Sequence, residues 1–164
     1  MTDNSLQTKS GDWQAFWSRR PSSPPEALSW SKRRILNILE KHLVGVHRVM
    51  DAGCGSGFFS GYFVRQGLET VSVDYAREAL DLTRKAAQGR ARLVCADLTE
   101  DLPHSLAQEK VDMIFSDGLF EHFSAGDQDR IMGNFLRVLN PGGIVITFVP
   151  NKFSPWQWIR PFMM

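Results

Sequence analysis

The sequence lacks the features that would place the chain in a membrane, a disulfide scaffold or a metal site. No run of about 18 apolar residues, the length that spans a bilayer, occurs in it. Its two cysteines, Cys54 and Cys95, have neither CxxC spacing nor nearby histidines, so we predict no disulfide framework and no metal site. The N-terminus is polar where a secretory leader would be apolar. We therefore expect a reducing, cytoplasmic setting.

An excess of charge of one sign is also missing. The chain has 19 Lys and Arg residues against 18 Asp and Glu residues, so it offers no overall electrostatic attraction to a nucleic acid. This balance favours a small-molecule substrate and no nucleic-acid partner.

What is present indicates one domain, because 164 residues with 43% hydrophobic content can bury a single core. Residues 1–45 predict an N-terminal helical cap. This cap contains the aromatic residues Trp13, Phe16 and Trp17, a proline-rich break at residues 21–25, and an amphipathic helix from Glu26 to Gly45.

Residues 46–150 alternate short strands with helical stretches. The predicted strands are His47 to Asp51, Thr70 to Asp74, Ala91 to Ala96, Val111 to Ser116 and Gly143 to Val149. The predicted helices run from Phe58 to Gln66, from Ala76 to Ala87, and from Ser124 to a stop at Asn140-Pro141-Gly142-Gly143. This alternation predicts an α/β fold, a doubly wound Rossmann-like parallel sheet with helices on both faces.

The first strand-to-helix turn is rich in glycine and predicts the floor of a ligand crevice. It reads Asp51-Ala52-Gly53-Cys54-Gly55-Ser56-Gly57, and its three glycines let the backbone pass close to a ligand. The dinucleotide fingerprint G-x-G-x-x-G would require a glycine at Phe58, and the lysine of a phosphate-binding P-loop is absent. Gly57 and Gly61 also predict a close approach of the next helix to the sheet.

Acidic residues end three successive strands. Asp51 would repel a pyrophosphate and attract the sulfonium and ammonium groups of S-adenosylmethionine. Asp74 suits a ribose, and Asp97 suits an adenine amino group while Leu98 packs on the ring. Each could instead cap the following helix, which is a common role of aspartate.

These motifs together resemble the class I methyltransferases that depend on S-adenosylmethionine (SAM), in their small-molecule, type 11-like branch. The resemblance covers roughly residues 35–150. It implies that Asp51, Gly53, Cys54, Gly55 and Gly57 hold the methionine part of SAM. It further implies that Asp74 holds the ribose and that Tyr75, Asp97 and Leu98 hold the adenine. The methyl-facing side would be lined by Ser116, Asp117 and Gly118.

The segment Leu119-Phe120-Glu121-His122-Phe123 is similar to the "LEH" stretch of the same branch. His122 is the candidate general base, with local packing as its alternative role; Glu121 is a weaker candidate. His104 lies in a predicted loop, and we assign it no chemical role. The Pro-Pro-Tyr or Pro-Pro-Phe signature of amino-group methylases of DNA and protein is missing after strand four, which disfavours those substrates.

The chain ends soon after strand five, where members of this family continue to a further helix and an antiparallel hairpin. A fragment, a shortened variant and strands supplied by another chain are all open, and we favour a fragment. Residues 151–164 form an aromatic tail that either packs on a C-terminal part, covers the substrate together with the aromatic residues of the cap, or contacts a membrane surface. Oligomers could form through the exposed edge of strand five.

The sequence thus predicts methyl transfer from SAM, which becomes S-adenosylhomocysteine (SAH), to a small molecule, with apolar or lipid-like acceptors among the candidates. A catalytically silent SAM-binding module and a NAD-linked oxidoreductase are the alternatives. The acceptor and the oligomeric state are not specified by these residues.

Overall fold

The computed structural model describes residues 10–18 and 29–151. Its helices are α1 Ser10–Ser18, α2 Trp30–Leu39, α3 Phe58–Arg65, α4 Arg77–Ala86, α5 His104–Ala107 and α6 Ala125–Val138. Its strands are β1 Arg48–Ala52, β2 Glu69–Asp74, β3 Arg92–Cys95, β4 Val111–Asp117 and β5 Leu139–Phe148. Short 3-10 turns occupy Glu40–His42 and Phe120–His122. Within the described ranges, no helix is long and apolar enough to cross a membrane.

The five strands form one parallel sheet in the order β3-β2-β1-β4-β5. β1 lies at the centre, and its central residue Met50 pairs with Val71 of β2 and with Ile114 of β4. Because the strands are parallel, all their carboxyl ends meet at one edge of the sheet. The predicted doubly wound α/β fold is confirmed.

Apolar side chains cover the sheet on both faces, as the helices between parallel strands require. On one face α2 and α3 pack on β1 and β4; the buried residues are Ile35, Leu39, Val49, Phe59, Tyr62, Phe63, Met113 and Phe115. On the other face α5 and α6 cover the strands with a second set that includes Leu106, Ile131, Phe135 and Val138. The two layers fix the positions of the strand ends.

The predicted start of strand five is wrong. β5 begins at Leu139, directly after α6. Its pairing with β4 is irregular at this end, because the four residues 140–143 face the single residue Asp112. The side chain of Asp112 stabilises this irregularity, because its carboxylate accepts hydrogen bonds from the Asn140 amide at 2.8 Å and from the backbone amides of His47 and Arg48 at 2.9 Å. A long-range acceptor of this kind has no local signal in the sequence.

Two helical predictions also differ. The α-helix of the cap ends at Leu39, well before Gly45, and its described start is Trp30, with the Ser29 hydroxyl accepting from the Lys32 amide at 3.3 Å. The predicted start at Glu26 lies outside the described residues, as do the proline-rich break and the aromatic tail beyond Asn151. His104 begins the four-residue helix α5, where the sequence predicts a loop.

The glycine pair after β1 approaches a helix, not the sheet as predicted. A Cβ atom at Gly57 would overlap the Cα atom of Thr83 in α4, and one at Gly61 would lie 2.7 Å from the Ala86 carbonyl oxygen. Gly57 also has a φ of +75°, in the left-handed region that favours glycine. The glycines therefore allow α3 and α4 to pack closely.

We predict that Gly57→Ala destabilises the protein much more than Gly67→Ala. Gly67 has a similar φ of +82°, but a Cβ atom added there would meet no other atom within 4 Å, so the control carries only the left-handed backbone cost, about 1–2 kcal/mol. Overlap with α4 should add about 1–3 kcal/mol at Gly57. Urea unfolding would measure both losses, and equal losses would contradict the packing role.

Candidate functional site

The sheet order creates a cleft at the carboxyl ends of the central strands. β1 lies between β2 and β4, and open α/β sheets bind ligands where the strand order reverses in this way. The cleft has a volume of about 970 Å³, which includes space open to solvent. The described residues that line it are Trp13, Trp17, Lys32, Asp51, Gly53, Cys54, Gly55, Ser56, Phe58, Phe59, Asp74, Tyr75, Ala96, Asp97, Leu98, Asp117, Gly118, Leu119, His122 and Phe123.

The turn between β1 and α3 forms the floor of this cleft. Gly53 and Gly55 have φ angles of +72° and +51°, which explains the need for glycine. The amides of Gly53 and Cys54 donate to the Val73 carbonyl at 2.8 and 3.1 Å and hold the turn against β2. Gly53, Cys54 and Gly55 line the cleft, and burial raises the pKa of the Cys54 thiol, which keeps it neutral. Gly57 is not part of the lining.

Asp51 caps α3 from across the turn. The N-cap position of this helix is Gly57, which has no side chain to accept a hydrogen bond. The Asp51 carboxylate accepts one from the Ser60 hydroxyl at 2.5 Å and another from the Ser60 backbone amide. Asp51 is only 2% exposed, yet it also lines the cleft. Capping and ligand contact are alternatives in the sequence pattern, whereas this geometry allows both.

Burial changes the acidity of Asp51. Loss of hydration raises its pKa to about 7; the hydrogen bonds from Ser60 oppose this shift, and the charges of Asp74 and Asp117 add to it. Asp51 is therefore not the simple anion that its residue type suggests. In the folded protein its charge near neutral pH depends on what occupies the cleft, because a cation would favour the ionised form.

Asp74 lies beside Asp51 at the end of β2 and supports the glycine turn. Its two carboxylate oxygens accept hydrogen bonds from the Gly55 and Ala76 amides, each at 3.0 Å. Burial raises the pKa of Asp74, and hydrogen bonds from the Ala76, Gly55 and Tyr75 backbone amides lower it in part. A carboxylate has about four acceptor positions, so Asp74 still has one for a ligand hydroxyl.

The third acid has a different environment. Asp97 is exposed, and its carboxylate accepts from the Thr99 amide at 2.9 Å and from the Thr99 hydroxyl at 2.7 Å, which is a local turn role. It nevertheless lines the cleft next to the buried Leu98 and the half-buried Tyr75. The structure therefore brings the predicted adenine-side residues together.

The end of β4 contains only part of the set predicted there. Asp117 and Gly118 line the cleft. Ser116 does not: it is fully buried, and its hydroxyl hydrogen-bonds to that of Thr147 on β5 at 2.7 Å. The Ser116 side chain therefore lies in the packing between β4 and β5 and outside the cleft lining, because successive residues of a strand point to opposite faces; its contact with the methyl-facing side stays a prediction.

His122 lines the same end of the cleft, in the 3-10 turn after β4. Its ring contacts that of Trp13 edge to face, with 4.7 Å between the ring centroids. Its Nε2 lies 3.9 Å from Oε1 of Glu121, beyond hydrogen-bonding distance.

Asp117, at the end of β4, is the acid on this side of the cleft. Burial, followed by the charge of Glu121, raises the pKa of Asp117. This end of the cleft therefore combines acidic groups with one imidazole.

Helices α1 and α2 add lining residues beyond the predicted cofactor-binding set, although the sequence indicates the cap aromatics as one possible cover of the substrate. A Cβ atom at Gly55 would lie 2.8 Å from a ring atom of Trp17, so the indole covers the glycine turn. Lys32 places its ammonium 4.2 Å from the Phe58 ring centroid. The helical spacing of the cap aromatics is a sequence signal for α1, but no such signal exists for Lys32, whose position depends on how α2 packs.

Comparisons with known proteins agree with this fold. The Methyltransf_11 family model, described as a methyltransferase domain, matches residues 50–147. The biotin biosynthesis bifunctional protein BioHC of Cellvibrio japonicus is 38% identical over 96 residues, 58% of this chain and 18% of that protein. A malonyl-[acyl-carrier protein] O-methyltransferase of Hamiltonella defensa is 33% identical over 60% of this chain and 36% of that protein.

A longer match, 32% identical, is to an uncharacterized methyltransferase of Mycobacterium tuberculosis; it covers 89% of this chain and 53% of that protein. The chain thus spans about half or less of the length of these curated relatives. Among solved structures, the PH0226 protein of Pyrococcus horikoshii has a TM-score of 0.70 at 19% identity and covers 90% of this chain and 66% of its own. The DhpI–SAM–HEP complex has a TM-score of 0.70 at 15% identity, and the match covers 98% of this chain and 73% of the DhpI chain. These structural matches establish the fold.

We predict that Asp51→Asn makes the ligand-free protein more resistant to unfolding at about pH 8. A pKa of about 7 in the folded state exceeds the unfolded value, so the stability linked to this proton is full at acid pH and is lost as pH rises towards 7. Asparagine removes that loss and can still accept from Ser60. The advantage over wild type should grow by up to about 1.4 kcal/mol per pH unit between the unfolded and folded values.

Asp112→Asn is the control of opposite sign. Hydrogen bonds from the Arg48 and His47 amides lower the pKa of Asp112, so its stabilising effect is present at neutral pH and is lost as the pH falls. Thermal unfolding of both variants from about pH 3 to 8 would measure the two trends, because the Asp112 effect is lost below its ordinary pKa of 3.8 and the Asp51 effect develops above that value. An Asp51→Asn variant with the pH dependence of the wild type would disprove the assigned acidity.

Proposed function

Because the chain belongs to the class I SAM-dependent methyltransferase family, we propose that it transfers a methyl group from SAM to a small-molecule acceptor. The observation that supports this most is the convergence of Asp51, Asp74 and Asp97 on one cleft, at the ends of three adjacent strands. The glycine turn of this cleft has Phe58 at the position where a dinucleotide fingerprint requires a glycine.

The residues of the cleft fit the three parts of SAM. In this proposal, Asp51 and the backbone of Gly53 and Gly55 hold the amino-acid end, whose ammonium compensates the buried carboxylate. Asp74 accepts from a ribose hydroxyl with the acceptor position that its backbone bonds leave open. Gly57 takes a packing role with α4, so we remove it from the contact set.

At the adenine end, Leu98 and Tyr75 provide apolar surfaces for a planar ring, and Asp97 accepts from its amino group. Asp97 is exposed and already holds the Thr99 amide and hydroxyl. Hydrogen bonds of exposed groups contribute little net free energy, so we expect Asp97 to contribute less to affinity than Asp74 does.

Bound SAM would supply a methyl group on a positively charged sulfur. The protein then has to align an acceptor with that methyl and exclude water. Trp13, Trp17, Leu119 and Phe123 form an apolar wall suited to this task. His122, beside Trp13, is positioned to take a proton from an acceptor that arrives protonated; an acceptor that arrives ionised needs no base.

We propose that residues 46–150 form the cofactor-binding core, that residues 1–45 form a cap that helps to build the acceptor side, and that residues 151–164 form an aromatic tail. Apolar small molecules are the acceptors that the aromatic wall favours. The relative named as a malonyl-[acyl-carrier protein] O-methyltransferase adds an acyl group on a carrier to the candidates.

We predict that the protein binds SAH but not NADH in calorimetric titrations. Asp74→Asn should weaken SAH binding by about 10- to 100-fold, because a charged acceptor of the ribose hydroxyls is lost. Asp81→Asn, at an exposed position of α4, is the matched control and should bind like wild type. Binding of NADH without binding of SAH would overturn the proposed function.

Turnover separates an enzyme from a catalytically silent SAM-binding module. Labelled SAM would be incubated with the protein and a panel of apolar small molecules, together with malonyl-[acyl-carrier protein]. Transfer of label to any acceptor supports the enzyme. SAH binding without transfer to any of them favours the silent module.

With such an acceptor available, we predict that His122→Gln lowers kcat by about 100-fold or more while SAH affinity changes little, as expected for loss of a general base. His104→Gln is the control, since His104 lies on α5 outside the lining of the cleft and its ring is hydrogen-bonded to the Gln108 side chain at 3.1 Å. An unchanged kcat in His122→Gln would assign this histidine to packing against Trp13.

A further inference from the structure

Behind the glycine turn, three buried side chains form a continuous hydrogen-bonded row. The Ser60 hydroxyl of α3 lies 2.5 Å from the Asp51 carboxylate and 2.8 Å from the Ser72 hydroxyl of β2. Ser72 pairs directly with Asp51 in the sheet register. Ser60 and Ser72 are 0% exposed and Asp51 is 2% exposed, so water does not replace these bonds readily.

The direction of the hydrogen bonds depends on the charge of Asp51. A serine hydroxyl has one proton to donate. When Asp51 is ionised, Ser60 donates to it and must accept from Ser72. The Asp51 carboxylate then accepts from the Ser60 hydroxyl and from the Ser60 backbone amide, and the Ser72 hydroxyl supports the first of these bonds by donating to Ser60. Cooperative chains of this kind strengthen in an apolar environment.

The other charged groups around Asp51 act mostly in the opposite direction. Asp74 at the end of β2 and Asp117 at the end of β4 are carboxylates that disfavour a further negative charge. Lys32 of α2 is a cation of the same cleft, but it lies over the Phe58 ring and acts on Asp117. Ionisation of Asp51 in the ligand-free cleft therefore depends on Ser60.

We propose that Ser60, oriented by Ser72, is a positioning residue that allows Asp51 to ionise near neutral pH and so sets the lower pH limit of cofactor binding. The inference rests on the proposed function, because it takes the cationic amino-acid end of the cofactor as the partner of Asp51. Neither serine lines the cleft, so both act through Asp51.

Proton balance follows from this assignment. Below the midpoint of the Asp51 titration, ligand binding must release one proton from the carboxylate to the buffer, because the ammonium group pairs with the ionised form. Above the midpoint no proton is released. The affinity for SAH should therefore rise with pH by up to tenfold per pH unit below about pH 7 and level off above it.

The test is SAH binding by Ser60→Ala between about pH 5.5 and 8.5, measured by calorimetry in buffers with different ionisation enthalpies. Loss of a hydrogen bond to a charged group should move the midpoint of the affinity curve upward by about 1–2 pH units. Affinity at neutral pH should fall by about 10-fold or more and recover towards the wild-type value at the alkaline end. Proton release near pH 7.5 should increase.

Ser72→Ala removes only the second bond in the row and should move the midpoint in the same direction by a smaller amount. A purely structural role of Ser60 would weaken binding equally at every pH, and that result would overturn the inference. So would a curve identical to that of the wild type. Failure of the wild-type protein to bind SAH at any pH would instead overturn the proposed function, which keeps the two outcomes separate.

Discussion

The Asp51 carboxylate connects the sheet, the first helix of the core and the cleft. It lies near the end of β1, accepts from Ser60 in the first turn of α3, and faces the cavity between β2 and β4. Since Gly57 cannot cap α3, the helix takes its cap from the preceding strand. This capping constrains the length of the turn. The Asp51 carboxylate must reach Ser60, the third residue of α3, while the backbone of the glycine turn remains open to a ligand.

This arrangement carries a cost in stability. A buried acid whose pKa is raised to about 7 opposes folding near neutral pH, and the left-handed glycines of the turn add backbone entropy to the unfolded state. Active sites commonly retain such unfavourable groups because the ligand compensates them. A cation bound at Asp51 would recover part of this cost, so the fold and the ligand stabilise each other.

Those parts of the molecule that depend on local pattern could be predicted from the sequence. Strand and helix alternation indicated the sheet, and Gly53, Gly55 and the acids at the strand ends indicated the cleft, because each of these signals is contained within one strand, one helix or one turn. Features that depend on long-range packing were missed. Asp112 stabilises the irregular start of β5 by a hydrogen bond from Asn140, which is distant in the chain. The Ser116 side chain points away from the cleft, towards Thr147, because of its position in the pleated strand.

Gly55 shows how the two halves of the cleft are joined. Its amide donates to Asp74, on the side that we assign to the cofactor, while the indole of Trp17 covers it from the side of the cap. A side chain at this position would disturb both contacts, since its Cβ would meet the Trp17 ring and its backbone would leave the left-handed region. The cap and the cofactor turn therefore have to fit one residue together. A change in the cap that repositions Trp17 should therefore alter the packing of the glycine turn, even though residues 19–47 separate α1 from β1 in the chain.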